Sequence, residues 1–315
     1  MIHLGCGLEF SQPALIAEAL AMSCVHGNWP KDILLTAESH ARKIEVTETS
    51  SLLSILESFR GDPVITTGVK ASDGFDKITD GLVKRVKASH FAPYLSRFRV
   101  QPSPEDLQYK LNEMMYTCAY FMGAAQHPGK RETLDFVLLH AVTLAVFYPA
   151  ILALDWLSDA NKSRLLEAKA RIDAVLYAGC GSPPLHPERI HDYVPQRPQD
   201  DWPALFRRAI VYRDEGHVAK LIRALYSVEQ LGEVCVPHFP IQKKHLIKIA
   251  HMALDSAERA ERPGGHQLPE TVVQDVASRM GFGSEMVTDN MKRYVFYGGL
   301  EGSWAFIPSL NDAIG

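Results

Sequence analysis

What the sequence lacks bounds it first. Its five cysteines (Cys6, Cys24, Cys118, Cys180, Cys235) are scattered, odd in number and never form a CxxC pair. That spacing speaks against a disulfide framework and a structural zinc site and for a reducing compartment, so a cytoplasmic location is expected. Charge of one sign is also missing: 33 Lys and Arg stand against 37 Asp and Glu, a net charge of −4. Such a balance leaves no electrostatic footprint for nucleic acid or an anionic membrane. The opening Ile2-His3-Leu4-Gly5-Cys6-Gly7 has no basic lead-in and is too glycine-rich for a secretory h-region. Gly-x-Gly pairs at Gly5/Gly7, Gly179/Gly181 and Gly281/Gly283 never complete GxGxxG, and P-loop, HExxH and GxSxG motifs are absent. Strand signals are few, repeats and low-complexity tracts are missing, and the class expected is all-α.

What is present describes one multi-helical, bundle-like domain over residues 1–315, with 46% hydrophobic and 22% charged residues. Apolar periodicity predicts helices over 13–25, with Leu15, Ile16, Ala19, Leu20 and Ser23 on one face, and over 50–59, 76–90, 106–123, 163–176 and 242–260. The uncharged run Phe136–Leu154 approaches the length of a membrane span. It contains His140, Thr143, Tyr148 and Pro149, however, and has acidic residues at both ends, so it reads as a buried core helix. A helix apolar all round is buried all round, and His140 inside it needs a hydrogen bond, a metal or a carboxylate.

Residues Trp202–Tyr226 read as a single helix, with Asp200 and Asp201 as caps and Pro203 in the first turn. Asp214, His217 and Lys220, three residues apart, would then share one side, and Gly216 within the helix suggests close approach by another group. The two readings of that face are a reaction site, or a hydrogen-bonded core histidine beside a solvated ion pair. The aromatic tail Tyr294–Pro308 reads as a packed segment or a pocket wall, packing being the simpler. Thirteen histidines without a nucleotide motif point to a metal held by histidines from separate helices, iron with an open position being able to handle dioxygen.

Several segments in order carry a resemblance: Ile2-His3-Leu4-Gly5, Ala17-Glu18-Ala19-Leu20, Asp135 to Thr143 around His140, Tyr177-Ala178-Gly179, Asp214 to Lys220 with Arg223-Ala224-Leu225, Ala250-His251-Met252 with Asp255-Ser256, and Gly299 to Trp304. Together they resemble the questin oxidase-like family of fungal aromatic polyketide pathways. The resemblance implies an oxidoreductase that inserts oxygen into, or cleaves, an anthraquinone-type ring in Baeyer–Villiger style, with O2 as co-substrate and NADPH in some members. It implies a small aromatic polyketide as substrate, and neither nucleic acid nor membrane as partner. It further implies a non-heme Fe(II) site of histidines and a lysine carboxylated by CO2, with His3, His140, His217 and Lys220 as ligands. Carboxylation requires a neutral amine, which burial favours. Asp214 or Glu215 would hold the tautomer of His217, and Asp214 and His251 are the candidate catalytic residues. Family members carry a region before the Ile-His-Leu-Gly motif with a helix similar to His-Asn-His-x-x-His-His. The chain is therefore expected to be the C-terminal portion of a larger family domain. The alternative is a non-catalytic helical paralogue or partner subunit, with an apolar patch exposed where the absent helices would pack.

Overall fold

The computed structural model describes residues 2–44, 49–212, 214, 216–262, 270–280 and 293–311, and every named element in them is helical. The chain begins with α1 (Ile2–Glu9), α2 (Pro13–Val25), α3 (Lys31–Lys43), α4 (Leu52–Arg60) and α5 (Pro63–Thr66). A π-helical turn (Ile78–Leu82) leads into α6 (Val83–Arg85) and α7 (Ala88–Leu95). Then come α8 (Pro104–Ala124), α9 (Phe136–Ala145), α10 (Tyr148–Leu152), α11 (Asp159–Gly179) and α12 (Glu188–His191). The last elements are α13 (Trp202–Ala209), α14 (His217–Gln230), α15 (Lys243–Glu261) and α16 (Glu270–Met280). Side-chain caps set several of the starts: Ser51, Ser103, Asp135, Ser158 and Asp201 each accept a backbone N–H one turn on.

α8 is the centre. It is buried continuously from Lys110 to Ala124, and α4, α9, α11, α14 and α15 all pack against it. The core around it is apolar and aromatic, with Tyr116, Phe121, Tyr177, Phe59 and Phe91 fully enclosed. The tail returns to this bundle through two isolated bridges, Lys130 with Ser309 and Asp135 with Val295.

The sequence expectations hold for α4, α8, α11 and α15 and need correction elsewhere. Phe136–Leu154 is two helices, α9 and α10, parted at Val146–Phe147 ahead of Pro149, whose ring cannot continue a helix. No helix among the described residues is long and apolar enough to cross a membrane. The 76–90 stretch divides into the π-turn, α6 and the start of α7. Trp202–Tyr226 is also two helices: α13 ends at Ala209, Ile210 and Val211 are exposed, and α14 begins at His217. Gly216 is not inside a helix. It stands at the start of α14 with φ of +75°, a left-handed conformation that glycine adopts without steric cost.

At the N-terminus the glycine-rich opening is itself a helix, and close packing explains its composition. A Cβ on Gly5 would lie 2.4 Å from the Phe147 ring, and one on Gly7 would lie 2.9 Å from the Ile16 nitrogen. α2 has the expected bounds but not the expected burial: none of its residues is buried, and Leu20, Met22 and Val25 are exposed by 54%, 50% and 87%.

Candidate active site

Two of the sequence-predicted residues meet where α9 crosses α14. The ring centroids of His140 and His217 lie 5.6 Å apart. Phe136, one turn before His140, packs against both, at 4.9 Å from the first and 5.0 Å from the second. Tyr294 and Phe296 of the tail close on the same phenyl ring at 5.4 and 4.9 Å. The site is thus a pair of imidazoles in an aromatic wall.

The hydrogen bonds fix which nitrogen carries the proton. His140 Nδ1 lies 2.7 Å from the Phe136 carbonyl, and His217 Nδ1 lies 2.5 Å from the Asp214 carbonyl. A carbonyl can only accept, so in both rings Nδ1 is the donor. In the neutral ring the lone pair then sits on Nε2, the tautomer that metal-binding histidines show when a main-chain oxygen holds the other nitrogen. Burial, with the charges of His217 and Lys220 adding to it, pushes the His140 pKa down to about 4, so this ring is neutral at physiological pH.

Asp214 is fully buried, and its expected role is refined. It does steady His217, but through its backbone carbonyl. Its carboxylate Oδ2 accepts the Val218 N–H at 2.8 Å and the Tyr294 hydroxyl at 3.1 Å, while Oδ1 has no hydrogen-bond partner among the described residues. That carboxylate caps the first turn of α14 in place of the side chain that Gly216 lacks. Glu215 lies outside the described residues. Lys220 is half-buried one turn after His217 and acts electrostatically on His140.

The other two candidates lie elsewhere. His3 pairs through Nε2 with Glu18 at 2.9 Å, its side chain 41% exposed, and the ring contacts of the site do not include it. His251 is buried in α15 and donates from Nε2 to the Asp200 carbonyl at 3.2 Å, its pKa lowered by burial. It borders a network in which Arg208 binds Asp200, Asp255 and Glu258. Among the described residues no group of three or more His, Cys, Asp or Glu could hold a metal ion.

What sequence reasoning missed is Phe136, whose carbonyl and ring both serve the site. Its signal was the four-residue spacing to His140. The tail, left between packing and pocket wall, does both: Tyr294 and Trp304 are buried, while Phe296, Tyr297 and Phe306, with Phe75 and Leu300, line a cavity of about 430 Å³ edged by Asp73 and Lys77. Phe296 separates that cavity from Phe136 and the imidazoles.

The sequence pattern of the questin oxidase-like family matches residues 1–225, which include His3, His140, His217 and Lys220. The chain belongs to this family. It is 41% identical over 317 aligned positions to the oxidoreductase AflY of Aspergillus parasiticus, covering 99% of this chain and 63% of that protein. It is 34% identical to the Baeyer-Villiger monooxygenase AacuH of Aspergillus aculeatus over 82% of this chain and 59% of that one. To the questin oxidase of Aspergillus fumigatus it is 33% identical, over 84% of this chain and 60% of the relative. The chain thus spans a little under two thirds of the length of these curated relatives.

Proposed function

We propose that this chain is an oxidoreductase of secondary metabolism that inserts oxygen into, or opens, a ring of an anthraquinone-type polyketide. One observation carries the reading. Two imidazoles with main-chain-fixed Nδ1 protons stand side by side behind Phe136 and Phe296, the latter lining an aromatic cavity, in a family whose relatives include a named questin oxidase. The cavity volume is in the range of small-ligand sites.

Two imidazoles, His140 and His217, are the part of a first-row metal site that is already assembled among the described residues, and the rest of the ligand set has to be gathered on binding. Imidazole nitrogen suits iron, and each ring has the outer hydrogen bond that orients a metal-binding histidine. His140 and His217 would hold it through Nε2, with Lys220 as a carbamate and His3 after exchanging its Glu18 partner. Bound Fe(II) would supply the activation of dioxygen. Insertion of one oxygen atom with release of the other as water would require two electrons, which NADPH or a hydroquinone form of the substrate would supply. The protein's own part is orientation and exclusion of water. Phe296 and Tyr297 present flat apolar faces to a planar ring system, the Phe136 and Asp214 carbonyls keep protons on Nδ1, and Asp214 and His251 act as positioning residues for α14 and α13. A reducing, cytoplasmic setting suits the free thiols.

Metal content tests the reading. After anaerobic loading with Fe(II) and gel filtration, wild-type protein retains iron while His140→Ala and His217→Ala retain little. Undiminished iron in either variant removes that residue from the ligand set. Conversion of an anthraquinone that persists after complete chelation refutes iron catalysis.

A second reading, a helical subunit or paralogue without activity of its own, has the bare apolar surface of α2 in its favour. A monodisperse, monomeric, iron-retaining preparation counts against it.

A further inference from the structure

Away from the imidazole pair, three reactive side chains meet in the core between α8 and α11. Cys118 and Asp173 are fully buried and Lys169 is 3% exposed. Asp173 Oδ2 accepts a hydrogen bond from the Cys118 thiol at 3.1 Å and another from Lys169 Nζ. Nζ also donates to the Ala141 carbonyl at 3.0 Å and lies 3.9 Å from Cys118 Sγ. Asp173 Oδ1 has no hydrogen-bond partner among the described residues. Burying an ammonium and a carboxylate costs more than their attraction returns unless every polar atom is satisfied. Here one oxygen is not, so packing alone does not account for the pair. The group beside it is a thiol within reach of the amine.

We propose that Cys118 and Lys169 form a redox pair that closes into a covalent N–O–S bridge with dioxygen as the oxidant. The balance is R–NH2 + R′–SH + O2 → R–NH–O–S–R′ + H2O. Sulfur and nitrogen each give up two electrons, and the two oxygen atoms accept the four. One oxygen joins Nζ to Sγ, and the other leaves as water with the thiol hydrogen and one amine hydrogen. Asp173 takes the proton that the ammonium must lose first, a role for which burial raises its affinity. Burial also holds Cys118 as the neutral thiol, which slows attack on polar oxidants, whereas dioxygen is small and apolar enough to enter a dry core. Closing the bridge draws Nζ from the Ala141 carbonyl, the residue after His140 in α9.

The experiment is peptide mapping of wild-type protein purified anaerobically, one half then exposed to air. Both halves are denatured in iodoacetamide without reductant, digested and weighed. In the air-exposed half the peptides of Cys118 and Lys169 are joined, with a mass of their sum plus one oxygen less two hydrogens. A thiol reductant separates them, and Cys118→Ser and Lys169→Arg abolish the product. Cys180, equally buried beside the Asp135 carboxylate, serves as internal control and is alkylated in both halves. Complete alkylation of Cys118 in the air-exposed wild type overturns the proposal, as does a sulfinic or sulfonic Cys118 beside an unmodified Lys169. The wild-type comparison decides even if a variant fails to fold.

Discussion

Asp135 offers the most quantitative test of how the tail is fastened to the site. Its carboxylate is completely buried at the N-terminus of α9. Oδ1 accepts the Val137 and Leu138 N–H groups at 2.7 and 3.1 Å, and Oδ2 accepts the Gly298 N–H at 2.6 Å. In Asp135→Ala these three backbone donors, Leu138 buried and Val137 and Gly298 part-buried, lose their acceptor. At about 1–1.5 kcal/mol each, the loss is roughly 3–5 kcal/mol. Asp135→Asn keeps the cap, because the amide oxygen still serves Val137 and Leu138, but it turns an NH2 toward the Gly298 N–H.

The two variants therefore separate capping from tail attachment, and pH separates charge from both. Burial outweighs the hydrogen bonds and raises the Asp135 pKa to about 6 from 3.8. A carboxyl with a raised folded-state pKa binds its proton more tightly in the native state. Its contribution is fully present below the unfolded value of 3.8 and is lost as pH rises through about 6. Between about pH 5 and pH 7.5 that loss amounts to about 1.5 kcal/mol, and Asp135→Asn, which cannot titrate there, lacks it. Urea unfolding of both proteins across this window is the assay, with the difference between their stabilities narrowing by that amount as pH rises. Parallel stability curves would refute the buried-carboxylate account.

Three further outcomes are expected. Gly5→Ala places a methyl 2.4 Å from the Phe147 ring; the strain exceeds the gain in helix propensity and lowers Tm by the equivalent of about 1–2 kcal/mol, an unchanged Tm showing that α1 does not rest on Phe147. Lys169→Met leaves Asp173 buried without its cation and costs about 3–5 kcal/mol in chemical denaturation, whereas the double variant Lys169→Met/Asp173→Leu recovers most of it; equal losses would contradict this. Gly216→Ala forces alanine into φ of +75° and costs roughly 1–2 kcal/mol, with Gly216→Asn losing less because asparagine tolerates that region.

Much of the fold was legible because α4, α8, α11 and α15 carry unbroken apolar periodicity between clear caps. The helix breaks were not. Across 202–226 the apolar residues keep helical spacing on both sides of the gap, so the pattern alone runs straight through it. The three-residue spacing of Asp214 and His217 is real, yet it reflects an acidic cap ahead of a helix start, not two positions on one helical face. In the apolar run 136–154 nothing polar marked the break before Pro149. Lys169 and Asp173, four residues apart in a charge-rich helix, look like a solvated ion pair, and only the packing of α8 and α9 over them makes them core residues. Of the site, His140 was readable as an imidazole stranded in an apolar helix. That its neighbour is His217 depends on how α9 and α14 cross, which no local pattern encodes.

Phe136 holds two separable controls in one residue. Its carbonyl decides where the proton of His140 resides, and its phenyl ring sets the distance at which that imidazole meets His217. Substituting the side chain can alter only the second. The first belongs to the main chain and answers instead to the preceding residue, Asp135, whose cap fixes the first turn of α9. The main-chain oxygen that holds one imidazole is therefore one residue from a carboxylate that also anchors the C-terminal tail, so site and tail share a single fastening.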